Sequence, residues 1–224
     1  METWLLYLLV PLIFGIWAQA RVTGAFKRYS QIRASSGLTG SETAREIMDA
    51  ARIHDVEIVQ INGMLGDHYD PIKKQLCLSA ETYNSPSIAA VGVAAHETGH
   101  AIQHALGYAP LQMRMTIVPV TQFASRILPF VIFGGFILRS FGLIEIGILC
   151  YAVLTLFQLI TLPVEYDASR RAKVILGQLG IIQPGAEAAG VNAVLDAAAL
   201  TYLAAFIAAL ANLLWLLSVS GRRR

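Results

Sequence analysis

Charge is scarce in this chain. Asp, Glu, Lys and Arg make up 14% of its 224 residues, against 55% hydrophobic residues; a water-soluble domain carries about 25% charge. Lipid is therefore the expected solvent for part of the surface. Concentrated positive charge is missing too. The net charge is +2, and apart from Arg222, Arg223 and Arg224 there is no dense basic run with interleaved aromatics, which sets nucleic-acid binding aside. Cysteine is limited to Cys77, in a polar stretch, and Cys150, inside an apolar run. A bridge between them would join two phases, so both read as free thiols. Neither has a His close in sequence to activate it, so a cysteine nucleophile is not expected. The length suits one catalytic unit with a real core.

What is present in quantity is apolar sequence, in blocks. The first, residues 4–18, follows Met1, Glu2 and Thr3 and precedes Arg21, Lys27, Arg28 and Arg33. A secretory signal carries its basic residues before the apolar run, so residues 1–20 read as a retained membrane anchor whose C-terminal end faces the cytoplasm. Residues 21–115 are mostly polar. Ser41 and Glu42 open a helix there, residues 56–61 and 75–79 read as strands, residues 63–71 carry turn chemistry, and Ser85-Pro86 starts a helix that Gly107 and Pro110 end. Residues 116–162 form a membrane hairpin, 116–138 and 141–162, which returns the chain to the side it left. Residues 163–184 form an amphipathic basic helix opened by Pro163. Residues 185–224 hold a further membrane helix and the basic tail. Four full spans put that tail on the far side, against the charge rule, while most Lys and Arg fall on the cytoplasmic side.

The chemistry lies in His96-Glu97-Thr98-Gly99-His100, an H-E-x-x-H pattern on an expected helix. Residues four apart share a helix face, so both imidazoles can reach one ion, with Glu97 on the adjacent flank where a water would sit. Zinc in such a site polarises the water and the scissile carbonyl, and the Glu acts as general base and then acid. A catalytic zinc takes three protein ligands and leaves one position open. Glu165 is the expected third ligand, because the hairpin returns it to the side of His96 and His100; Asp167 is the runner-up, more readily paired with Arg170 and Arg171. His104, one turn beyond His100, is a candidate to support a zinc ligand or contact substrate, or an ordinary helix residue. His54 and His68 read as solvated partners of Asp55 and Asp67, and Glu145 has no assigned catalytic role.

Residues 67–71 (Asp-His-Tyr-Asp-Pro), Leu76, Leu78-Ser79, the Ala89–Ala95 run into His96–Ala101, Gln103, the segment Leu162–Ala172 and the block 195–203 together resemble the bacterial neutral zinc metallopeptidase family of YugP type. The likeness spans nearly the whole chain. That family is similar to the HtpX-type and CAAX-type membrane peptidases, whose third ligand is the Glu of an E-x-x-x-D motif. Glu165 falls on that position, and Ser169 stands where the Asp that supports a zinc histidine would be. The resemblance implies a mainly α, gluzincin-like fold with a small β-sheet and about four transmembrane helices, one Zn2+ per chain, and a multi-pass protein of the bacterial inner membrane. Its active site would face the cytoplasm, and its substrate would be a peptide or membrane protein. An oligomer or a regulatory membrane partner is compatible with it. An edge strand usually aligns the substrate backbone in such enzymes, and residues 75–79 are the candidate here.

Two other classes compete. A di-iron carboxylate protein shares the Glu97-x-x-His100 element, but it needs a second E-x-x-H helix, and the chain has none. An inactive membrane scaffold retaining the fold has no evident need for Glu97, which is a base and not a ligand.

Overall fold

The computed structural model describes residues 3–63 and 66–221, and the backbone alone of Thr3 and Trp4. Arg222–Arg224 and the residues Met64 and Leu65 of the expected turn region lie outside the described residues. The chain is mainly helical with one small sheet, as expected. It divides into two compact units, one comprising Ala20–Leu111 and Val164–Ala199, the other Met1–Gln19, Gln112–Pro163 and Leu200–Arg224.

In the first unit, α2 (Gly40–Ala50) begins one residue before Ser41 and is capped by Thr39. The Thr39 hydroxyl accepts from the Glu42 amide at 3.3 Å while the Glu42 carboxylate accepts from the Thr39 amide at 2.8 Å, a reciprocal capping box. Gly40 is admitted to the first turn for a packing reason. A Cβ there would lie 2.2 Å from the Thr82 carbonyl oxygen. Strands β1 (Glu57–Ile61), β2 (His68–Asp70) and β3 (Gln75–Ser79) form a sheet in the order β1-β3-β2, with β1 parallel and β2 antiparallel to β3. Two expectations change here. β2 lies within the stretch read as turn, and residues 75–79 form the central strand, whose two flanks are already paired, so they offer no free edge.

Ser79 caps the short α3 (Ala80–Tyr83), and Ser87 caps α4 (Ile88–Ala105), two residues later than the Ser85-Pro86 start. A Ser87 Oγ that accepts from the Ala90 amide at 3.2 Å is the better N-cap, since Pro86 then lies outside the helix. Gly107, at φ +63°, ends α4 as expected. Ile47, Val91, Leu176 and Leu195 anchor one buried cluster, and Met48, Leu76, Leu78 and Ala94 another. Each fully buried Ile, Val, Leu or Met side chain among these contributes about 1.5–3 kcal/mol.

In the second unit, Ala124, Leu128 and Cys150 form a buried cluster, Phe136 and Trp215 stack at 5.6 Å, and Gly134 and Gly135 lie against Leu143 and Ile144. Phe130, Phe133 and Leu149 face outward. Four helices among the described residues are long and apolar enough to cross a membrane: α1 (Thr3–Tyr29), α5 (Ala109–Ile137), α6 (Phe141–Gln178) and α7 (Ala186–Gly221). Each contributes residues to both units.

Prolines misled the boundaries. Pro110 lies in the first turn of α5, where a missing N–H costs nothing, so α5 starts seven residues before the expected 116. Pro163 lies inside α6, and 141–178 is one helix, not two. Pro119 and Pro129 are likewise internal. An interior proline costs about 3 kcal/mol in water, but in lipid a broken helix would expose several backbone groups at more than that each, so the helix continues.

Candidate metal centre

The site is built where α4 and α6 touch, within the first unit. Ala89, Ala90, Ala94 and Ala95 make one run of α4 narrow and buried, and Gly99 completes the close approach. A Cβ on Gly99 would stand 2.8 Å from the Ala168 carbonyl oxygen and 3.2 Å from its Cα. With the backbones in contact at that point, Glu165 and Ser169, on either side of Ala168 along α6, are carried to the histidine face of α4.

His96 and His100 are each 8% exposed and Glu165 is 1% exposed. The two Nε2 atoms converge on one oxygen of Glu165, at 3.3 Å from His96 and 3.4 Å from His100, and the three ligand-type atoms lie within 4.8 Å of one another. Direct N–H···O bonds would be shorter, near 2.9–3.0 Å. Ligands at about 2.0–2.1 Å from a tetrahedral zinc lie about 3.3–3.4 Å apart, which matches the two imidazole–carboxylate separations. The donor set, two imidazoles and a carboxylate, is one that zinc takes, so the residues present fit the ion.

The remaining ring nitrogens are also held. His96 Nδ1 is 3.1 Å from Ser169 Oγ, and His100 Nδ1 is 3.0 Å from Gln103 Oε1. Such outer contacts orient imidazole ligands. Ser169 thus meets a histidine from the position that the Asp of an E-x-x-x-D motif would hold. Asp167, the runner-up ligand, turns away from the centre and accepts from Arg170, Arg171 and Gln103.

Glu97 is aligned by β2. The Tyr69 amide donates to Glu97 Oε2 at 3.1 Å. Burial raises the Glu97 carboxyl pKa, against the pull of His96 and His100. Burial likewise disfavours a charged His100, but the facing Glu165 outweighs it and raises that pKa. The Tyr69 hydroxyl is 2.8 Å from His104 Nδ1, and burial followed by the charges of Asp55 and Asp70 pushes its pKa up to about 12. His104 is therefore partnered by a tyrosine. His68 contacts the Gly66 carbonyl at 2.7 Å rather than Asp67, whose carboxylate accepts from the Ser79 amide at 2.8 Å. His54 faces Asp49, at 3.8 Å, rather than Asp55. Cys77 and Cys150 are free and buried.

Sequence reasoning gave Gln103 and Tyr69 no role. Gln103 had a signal, its i+3 spacing from His100 on one helix face. Tyr69 had none, because its contribution is a backbone amide.

Comparison with known proteins comes to the same chemistry. Residues 4–221 match the family described as "Putative neutral zinc metallopeptidase". The chain is 48% identical over 200 residues, 89% of its length and 88% of the relative's, to the "Putative membrane protease YugP" of Bacillus subtilis (strain 168). No solved structure matches.

Proposed function

Because the chain belongs to the neutral zinc metallopeptidase family, we propose that it is a membrane-bound zinc endopeptidase in which His96, His100 and Glu165 hold one Zn2+ and Glu97 is the general base. The observation that carries this reading is the convergence of two imidazole nitrogens on one Glu165 oxygen at tetrahedral-edge spacing. Zinc, when bound, supplies Lewis-acid polarisation of the scissile carbonyl and lowers the pKa of a water. Glu97 takes the proton of the attacking water and delivers it to the leaving amine.

The substrate-aligning edge is β2, in place of the central β3. Tyr69 pairs with Leu76 in the antiparallel register, and its amide is spent on Glu97 instead of the ladder. The outer edge of β2 therefore faces the base, and an extended peptide lying along it, paired with the Tyr69 carbonyl, would lie beside Glu97. Arg21, Lys27 and Arg28 toward the C-terminal end of α1, and Arg33 beyond it, support a site on the cytoplasmic side of a bacterial inner membrane.

Detergent-purified chain with added zinc should hydrolyse an unfolded protein such as casein, and Glu97→Gln should keep zinc while losing at least about a hundredfold in rate, the lower end of what a general base contributes. Glu165→Ala should lose zinc. Equal hydrolysis by parent and Glu97→Gln would sink the assigned base; full zinc occupancy in Glu165→Ala would sink the assigned ligand.

A further inference from the structure

The polar network behind His100 carries more information than an ordinary packing contact, because its donors and acceptors can be counted. Gln103 is fully buried. Its Nε2 lies 2.8 Å from the Val164 carbonyl oxygen and 3.0 Å from Asp167 Oδ2, and both of those partners only accept. The Asp167 carboxylate also accepts from Arg170 and Arg171. The amide cannot be turned over, since its oxygen would then face a carbonyl and a carboxylate. Both Nε2 hydrogens are thus committed, Oε1 must accept from His100 Nδ1, and His100 in its neutral form must carry its proton there. The lone pair is left on Nε2, the atom that faces Glu165.

We propose that Gln103 and Asp167 are positioning residues that fix the Nδ1–H form of His100, so that its Nε2 is presented to zinc before the ion arrives. His96 is held differently. Its partner is the Ser169 hydroxyl, a rotor that can donate or accept, so that contact leaves the His96 tautomer unassigned. One ligand is set by a closed chain of donors reaching two arginines, and the other by a single hydroxyl. This inference rests on the zinc reading above.

The test uses the detergent-purified chain and reads the zinc dissociation constant in chelator competition together with the nitrogen NMR signature of His100. Gln103→Met, of similar length but without the amide, removes the acceptor for His100 Nδ1 and should weaken zinc roughly 10–100-fold, the range for lost partners of metal-bound histidines. Asp167→Asn should weaken it less. In the metal-free parent the neutral imidazole of His100 should carry its proton on Nδ1, and in Gln103→Met it should populate both tautomers; a merely structural role would leave the tautomer unmoved. Unchanged zinc affinity in Gln103→Met, or a neutral His100 protonated on Nε2 in the parent, overturns the proposal. His100→Ala separates this from the underlying reading: if it keeps zinc, the metal centre itself is misassigned and both fall; if it loses zinc while Gln103→Met keeps it, only the present proposal fails.

Discussion

In the unit formed by Ala20–Leu111 and Val164–Ala199, helix ends are finished with hydroxyl caps at Thr39, Ser79 and Ser87, and buried amides and carboxylates are paired into networks. In the unit of Met1–Gln19, Gln112–Pro163 and Leu200–Arg224, large apolar side chains such as Phe130, Phe133 and Leu149 turn outward, and helices approach through Gly134, Gly135 and Gly147. Water drives apolar burial in the one; in lipid that drive is absent, and association depends on close packing of small residues. The same residue type therefore has different consequences in the two units.

Leucine-class residues should separate them most. Leu76→Ala, at a fully buried position in the polar unit, should cost about 2–5 kcal/mol, while Phe130→Ala, at 79% exposure in the apolar unit, should shift stability by less than about 0.5 kcal/mol. Thermal unfolding in detergent measures both, and similar losses would break the contrast. Glycine comes next. Gly99→Ala forces a Cβ onto the Ala168 backbone, whereas Gly147→Ala meets only the tip of Ile132 at 2.7 Å. The first should cost about 1–3 kcal/mol and weaken zinc binding measurably; the second should be milder, because a flexible side-chain end can move, and should leave zinc affinity untouched. The smallest effect belongs to the capping box. Thr39→Ala should destabilise by about 1 kcal/mol. The Glu42 carboxyl is held below its ordinary pKa of 4.5 first by the Thr39 amide and then by its hydroxyl. A depressed folded-state pKa stabilises above the unfolded value and is lost as pH falls through the folded one. Amide-exchange protection at the start of α2 should therefore decline on acidification below about pH 4.5, and Glu42→Gln should flatten that decline.

Much of this molecule was readable in its sequence, for reasons that differ by region. His96, Glu97 and His100 were legible because helical spacing alone places them on neighbouring faces, and Glu165 because the hairpin must return; the structure brings the four together. Residues 75–79 were legible as a strand, but their place in the middle of the sheet was not, because β2 is three residues long and lies among turn-forming residues. The unbroken α6 was missed at Pro163, where a rule calibrated on helices in water was applied to one that begins among apolar residues. Gln103 was visible in the motif without a role, since its partners Val164 and Asp167 lie more than sixty positions away.

That separation has a consequence in time. His96 and Glu165 are 69 residues apart, with α5 and most of the apolar part of α6 between them. At roughly 5–20 residues per second, synthesis of that interval takes about 3–14 s. For nearly all of it the growing chain owns both imidazoles and the base but lacks the carboxylate on which the imidazoles converge. On the proposed reading, the chain is a peptide-cleaving machine that cannot be armed until both helices of its hairpin have been made.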